Sequence, residues 1–293
     1  MTNLVVNWHI TEACNYKCFY CFAKWQKNEN REIIHNNEKI IQLVKEISLL
    51  PMIVNQNKGT NFTGIRLNLV GGETFLYKKK ILEIIKEAKK YHFELSAITN
   101  GSLLDGELIE MIGNEFSSIG FSIDSLNSNT NKEIGRVVKN TPMNINEILK
   151  NIQLIRVINP NIEIKINTVI NELNKLEDFN LFIKNASPTK WKIFKMLPIL
   201  TKENSINNED FYEFINRHSK FKKIIFSENN DEMTHSYLMI DPLGRFFQNN
   251  ELSHGYDYSH NILQIGGEAA IKQIKFNIHK FAKRSNLIPS ISQ

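Results

Sequence analysis

The stretch LVVNWHITEACNYKCFYC occupies residues 4–21. Its first half alternates. Asn7, His9 and Thr11 fall on one face and Val6, Trp8 and Ile10 on the other, the period-two signature of a β-strand over 4–11. Its second half holds every cysteine of the chain, Cys14, Cys18 and Cys21, spaced C-x3-C-x2-C. A strand that runs straight into a cysteine loop is the unit from which the rest of the chain can be read.

Strands of the same kind recur. GIRLNLV (64–70) sets Arg66 and Asn68 opposite Ile65, Leu67 and Leu69. IGFSIDS (119–125) sets Gly120, Ser122 and Asp124 opposite Ile119, Phe121 and Ile123. IEIKINTVI (162–170) sets Lys165 and Asn167 opposite Ile164 and Ile166, and KWKIFKM (190–196) sets Lys190 and Lys192 opposite Trp191 and Ile193. ELSAIT (94–99) is a weaker sixth. Between them, residues 38–50, 79–91, 106–116, 146–158 and 172–186 carry apolar positions at i, i+3, i+4, the helical spacing. Strand–helix alternation repeated about six times predicts an α/β chain with parallel strands, fewer units than the eight of a closed barrel. The expected fold is a partial, open (β/α)6 TIM-like barrel, residues 1–200, with a C-terminal extension, residues 201–293, that packs on it as part of one structural unit. Strands sandwiched by helices usually read as continuous apolar runs. The polar rows here are therefore expected to line a lumen that holds a polar ligand; the alternative is an antiparallel sheet with one solvated face.

The 293 residues are 42% hydrophobic and 23% charged, which predicts a folded core. A net charge of +5 favours anionic ligands and is too small for wrapping nucleic acid. No apolar run reaches the ~18 residues needed to span a bilayer, and MTNLVVNWHI has no signal-peptide pattern. A cytoplasmic protein without a membrane anchor, and a monomer, is expected.

An odd number of cysteines cannot all pair in intramolecular disulfides, and structural zinc normally takes four ligands in widely spaced pairs. Three thiolates can instead hold three irons of a [4Fe–4S] cluster, leaving one iron open to a further ligand, whereas four cysteines make the ordinary electron-transfer site. Three unrelated loop cysteines are the plain alternative.

This cysteine spacing resembles that of the radical S-adenosylmethionine (SAM) enzymes. The resemblance implies a [4Fe–4S] cluster on Cys14, Cys18 and Cys21, with SAM as a consumed co-substrate and Tyr20 near its adenine. GGET (71–74) follows the second strand directly and resembles the family's Gly-Gly-Glu turn, which implies that Gly71, Gly72 and Glu73 meet the SAM amine; Thr74 stands where relatives often have proline. By the same resemblance SIDS and IGR place Ser122 and Arg136 at the SAM carboxylate, and TNGS places Asn100 beside SAM.

With three cysteines no second cluster is available. NWHITEACNYKCFYCF, IKINTVIN, KWKIFKML, SYLMID (236–241) and GRFFQN (244–249) resemble segments of the viperin family, over residues 5 to 285. That resemblance implies dehydration of a ribonucleoside triphosphate, CTP first and UTP or GTP next, to its 3′-deoxy-3′,4′-didehydro analogue, an antiviral chain terminator, with a flavodoxin- or ferredoxin-type electron donor. It implies triphosphate contacts at Arg66, where a lysine is usual, and at Lys165, Lys190 and Lys192. Buried unpaired cations are costly, so four together imply an anionic guest. Asn7, His9 and Asn167 are placed for the sugar and base, Tyr237 to help quench the substrate radical, and Lys283 and Arg284 match the family's tail, although Ser285 and Asn286 replace its glycines.

Two other classes compete: a radical SAM enzyme that modifies a peptide or small metabolite, and a non-catalytic Fe–S module that binds nucleic acid. The stretches ENNDEM (228–233) and HGYDYSH (254–260) read as polar loops, without a recognisable third metal ligand beside His254 and His260.

Overall fold

The computed structural model describes residues 3–21, 32–198, 201–228, 230–249 and 256–284. They carry β1 (Asn3–His9), α1 (Asn37–Lys58), β2 (Gly64–Val70), α2 (Lys78–Lys90), β3 (Glu94–Thr99), α3 (Gly106–Glu115), β4 (Ser118–Ser122), α4 (Ser128–Ile134), the short pair β5 (Val137–Val138) and β6 (Thr141–Pro142), and α5 (Ile145–Ile158). Then follow β7 (Glu163–Ile170), α6 (Asn180–Ala186), β8 (Lys190–Lys195), α7 (Asn208–Arg217), β9 (Ile225–Glu228), β10 (Leu238–Ile240), β11 (Arg245–Asn249) and β12 (Tyr256–Asn261). The strand order is β12-β11-β10-β1-β2-β3-β4-β7-β8-β9, with β5–β6 apart. All six strands read from the sequence are present, in chain order, as the series β1-β2-β3-β4-β7-β8.

The chain divides into two compact units, residues 1–13, 25–96 and 232–293, and residues 14–24 and 97–231. In the first, β1 pairs in parallel with β2, Asn7 opposite Asn68, and with β10, while β11 and β12 run antiparallel. In the second, β4, β7, β8 and β9 are successively parallel. These parallel pairings exclude the antiparallel alternative. Trp8, Ile10, Leu67 and Leu69 are fully buried in one core, and Phe121, Ile164, Ile166 and Trp191 in the other. In the polar rows Asn7, His9, Thr11, Ser96 and Asn167 are buried, while Arg66, Asn68, Lys165, Lys190 and Lys192 are half-buried.

Asparagine supplies four of the helix starts. The side chains of Asn36, Asn127, Asn144 and Asn207 accept backbone N–H groups at the beginnings of α1, α4, α5 and α7, which satisfies donors that a helix cannot pair internally. Gly59 and Gly135 close α1 and α4 in the left-handed region.

Four local readings are corrected. The helix expected to stop at residue 50 runs through Pro51 to Lys58, because Ile47, Leu50, Ile53 and Val54 remain on its buried face; that burial outweighs the lost hydrogen bond. The helix expected from 172 begins only at Asn180. Asn171 accepts from Leu173 N, and Asn174 accepts from Asn171 N while donating to Val169 O, so side-chain bonds replace a helical turn. ENNDEM is not a loop throughout: Glu228 ends β9 and Asn230–Met233 are helical. Tyr256–His260 of HGYDYSH are in β12. His254 lies outside the described residues.

Candidate active site

The Gly-Gly-Glu turn is built against the backbone that leaves β1. Gly72 N donates to Thr11 O at 2.7 Å and Glu73 N to Ala13 O at 2.9 Å. A Cβ on Gly71, whose φ is +134°, would lie 2.5 Å from Thr11 O, and one on Gly72 would lie 2.1 Å from Ala13 O. Only glycine fits, since the obstructing atoms are backbone. Glu73 is fully buried and its carboxylate accepts from Phe75 N at 3.1 Å, capping the turn Thr74–Tyr77. The strand exit itself is held by Glu32, which accepts from Thr11 Oγ1 and Glu12 N, each at 2.7 Å.

In the second unit the cysteine segment is docked on α4. Lys17 N donates to Gly135 O and Phe19 N to Ile134 O. Cys18 is buried, while Cys14 and Cys21 are half-buried. Tyr16 N points at Cys14 Sγ at 3.4 Å, Asn100 Nδ2 lies 3.9 Å from the same sulfur, and Arg136 Nη1 lies 3.9 Å from Cys18 Sγ. Burial pushes the Cys18 thiol up to about 12, with Arg136 pulling it down. Three soft donors within eight residues, with N–H groups directed at two of them, suit thiolates that bind separate irons of one cluster. Among the described residues no three His, Cys, Asp or Glu side chains close on a single metal ion.

Arg136 is buried. Its Nη1 is 2.6 Å from Asp124 Oδ2, it also donates to Ser122 O, and its guanidinium lies 5.4 Å from the centre of the Tyr16 ring. Tyr20 donates to the same Asp124 oxygen, and Val169 N donates to the other at 2.8 Å. Burial and the Asp124 charge hold the Tyr20 phenol protonated. Asp124 is thus the hub that joins Tyr20, Arg136 and β7, a role that sequence reasoning missed. Arg136 Nε and Asn167 Oδ1 are buried without a hydrogen-bond partner among the described residues.

The expected substrate cations need a correction, for three of the four are not bare. Lys192 Nζ is 3.0 Å from Glu228, Lys165 Nζ is 3.1 Å from Glu163, and Lys190 Nζ sits 4.0 Å from the centre of the Phe226 ring. The premise of unpaired charge therefore fails. No local pattern marks Glu228 as a partner, because Lys192 lies on a neighbouring strand. Arg66 is half-buried on β2. His9 is buried edge-on to Phe247, ring centres 5.0 Å apart, and burial pushes it down to about 3, so it is neutral at pH 7. Tyr237 is half-buried, next to the first residue of β10, and its carbonyl accepts from Gln248. Arg284 ends the helix Ile278–Arg284; its side chain and the tail beyond it lie outside the described residues.

Residues 8–179 match the radical SAM superfamily. A protein of Psychrobacter lutiphocae named S-adenosylmethionine-dependent nucleotide dehydratase is 54% identical over 281 residues, covering 96% of this chain and 94% of that one. The chain belongs to the viperin family of radical SAM enzymes. A protein of the same function name from Oncorhynchus mykiss is 30% identical over 294 residues, covering 95% of this chain and 78% of its own. In fold, the chain is similar to the AdoMet-bound structure of anSMEcpe, with a TM-score of 0.67 at 15% identity over 94% of this chain and 83% of that one. The open (β/α)6 class expected from the sequence is thereby the fold of this viperin-family enzyme. No helix among its described residues is long and apolar enough to cross a membrane.

Proposed function

We propose that the enzyme dehydrates a ribonucleoside triphosphate, CTP first and UTP or GTP next, to the 3′-deoxy-3′,4′-didehydro nucleotide, a chain terminator of viral RNA synthesis. The observation that carries this reading is a buried polar atom on a strand's polar row that is left unsatisfied. Asn167 Oδ1 is a buried acceptor without a partner among the described residues, and such an atom costs free energy until a guest supplies a donor. A ribose hydroxyl or base amine supplies one.

When bound by Cys14, Cys18 and Cys21, a [4Fe–4S] cluster supplies the electron that cleaves SAM to methionine and a 5′-deoxyadenosyl radical. Arg136 offers Nε to the SAM carboxylate, aligned by Asp124, with Ser122 at the same carboxylate and Asn100 beside SAM. Gly72 and Glu73 commit their N–H groups to Thr11 and Ala13, and the turn's carbonyl oxygens serve as acceptors for the SAM ammonium. Tyr20 takes the adenine side. Lys165, Lys190, Lys192 and Arg66 hold the triphosphate, with Arg284 from the tail. Lys165 and Lys192 exchange carboxylate partners for phosphate oxygens. Asn7, neutral His9 and Asn167 orient the sugar and base. The ribose gives its C4′ hydrogen atom to the radical. The 3′-hydroxyl then leaves with a proton as water, and one electron from a flavodoxin- or ferredoxin-type donor completes the product. Tyr237 assists that last reduction. We read the enzyme as a cytoplasmic monomer in which residues 201–293 extend a 1–200 core.

The test is anaerobic turnover of the cluster-loaded enzyme with SAM and each of the four ribonucleoside triphosphates. One of them should raise 5′-deoxyadenosine formation well above the SAM-only rate and yield a product lighter by one water. Equal rates with all four and without nucleotide would overturn the proposal.

A further inference from the structure

Three side chains on adjacent strands of the first unit form a one-way relay. Ser96 Oγ on β3 donates to Asn68 Oδ1 on β2 at 2.9 Å, and Asn68 Nδ2 donates to Asn7 Oδ1 on β1 at 2.7 Å. The parallel register places Asn7 directly opposite Asn68. The far end meets β10, where Asn7 Nδ2 faces Leu238 O at 3.5 Å. An amide side chain has one accepting oxygen and one donating nitrogen, and either can be turned inward. A backbone carbonyl can only accept. With Leu238 O at that end, the reverse orientation would set Asn7 Oδ1 against another oxygen. The direction of the whole relay is therefore fixed, and Asn7 is left presenting N–H.

We infer that Ser96 and Asn68 are positioning residues for the nucleotide: they act through Asn7, holding its amide with the donor outward to meet an oxygen of the triphosphate or ribose. The inference rests on the reading that Asn7 lies in the nucleotide site. Ser96 is buried and Asn68 half-buried. Holding a buried amide in one of two orientations before the guest arrives removes that ordering cost from binding.

The experiment is calorimetric titration of the full, cluster-loaded chain with CTP and, in turn, UTP, GTP and ATP, for the wild type, Ser96→Ala, Asn7→Ala and the double variant. Ser96→Ala removes a neutral donor that does not touch the guest. It should weaken binding of the preferred nucleotide roughly three- to tenfold, the size of one net hydrogen bond, and raise its KM with little change in kcat. SAM affinity should be unchanged, and Ser96→Thr, which keeps the hydroxyl, should recover most of the loss. In the Asn7→Ala background, Ser96→Ala should cost nothing further, because the relay then has no end to orient. Additive losses, or a Ser96→Ala protein that binds the nucleotide as wild type does, would overturn the relay while leaving the nucleotide reading intact. A wild type that binds none of the four nucleotides would overturn both. A thermal midpoint for each variant separates misfolding from lost orientation. If Ser96→Ala does not fold, Asn68→Leu takes its place in the same cycle with Asn7→Ala, with the same two outcomes.

Discussion

The Lys192 ammonium lies 3.0 Å from the Glu228 carboxylate, and both side chains are largely buried. A cation set aside for a triphosphate thus has a resident partner. Lys192→Ala removes a phosphate contact and also strands a buried carboxylate. Breaking a buried pair costs about 3–5 kcal/mol of stability. The single variant should therefore both melt earlier and bind nucleotide more weakly. Lys192→Ala with Glu228→Gln should recover much of the stability and none of the affinity. Chemical unfolding alongside calorimetry with CTP checks this, and recovery of both together would show that Lys192 serves the fold alone.

Arg136 poses the same question on the SAM side. Its Nη1 belongs to Asp124 at 2.6 Å, while Nε is unpartnered among the described residues. Arg136→Lys keeps a cation but loses the fork. SAM affinity of the folded fraction should fall by about 1.5–3 kcal/mol, one charged hydrogen bond. SAM binding equal to wild type by equilibrium dialysis would confine Arg136 to holding Asp124 and the cysteine segment.

The glycines of the turn give a prediction of sign as well as size. Gly72→Ala would place its Cβ 2.1 Å from Ala13 O, whereas nothing lies within 4 Å of a Cβ on Gly106, the first residue of α3. Gly72→Ala should lose SAM binding and destabilise by about 3 kcal/mol or more, in the upper range for backbone clashes. Gly106→Ala should be neutral or mildly stabilising. Equal melting of the two variants would contradict the close packing of Gly72 on the backbone that leaves β1.

Buried His9 and half-buried Glu12 make opposite contributions to the pH dependence. His9 is pushed down to about 3 from 6.5, so between those values the unfolded chain binds the extra proton and stability is lost as pH falls, by about 1.4 kcal/mol per unit. Glu12 is raised from 4.5 to about 7 by burial and by Glu32 and Asp241, so the folded chain binds the extra proton and stability is lost as pH rises through that range. The two oppose each other between about 4.5 and 6.5. In His9→Gln the Glu12 dependence should stand alone, and stability should fall as pH rises there. Urea midpoints measured from acid to neutral pH give the slopes; an unchanged slope in His9→Gln would mean that His9 is protonated in the folded state.

Much of the fold could be read from residue order alone. Period-two rows at 64–70 and 94–99 mark strands with the observed bounds, because apolar Leu67 and Leu69 have no other place to go. The failures have a common physical source in side chains that answer to distant partners. Asn171 and Asn174 hold the loop after β7 through each other, and Asn174 also donates to Asp124 O. Glu228 turns inward to Lys192, and Pro51 is carried by the burial on both sides of it. Period alone cannot report such bonds, since most of them join residues far apart in the chain.

Everything proposed for the reaction depends on removal of the hydrogen at ribose C4′ of a nucleoside triphosphate. The decisive experiment turns over the cluster-loaded enzyme anaerobically with SAM and CTP deuterated at C4′, or at C5′, and measures the mass of the 5′-deoxyadenosine formed. The C4′-labelled nucleotide should deliver one deuterium and the C5′-labelled one none, with UTP and GTP run in the same way if CTP is not turned over. Unlabelled 5′-deoxyadenosine from every C4′-labelled nucleotide would contradict C4′ abstraction.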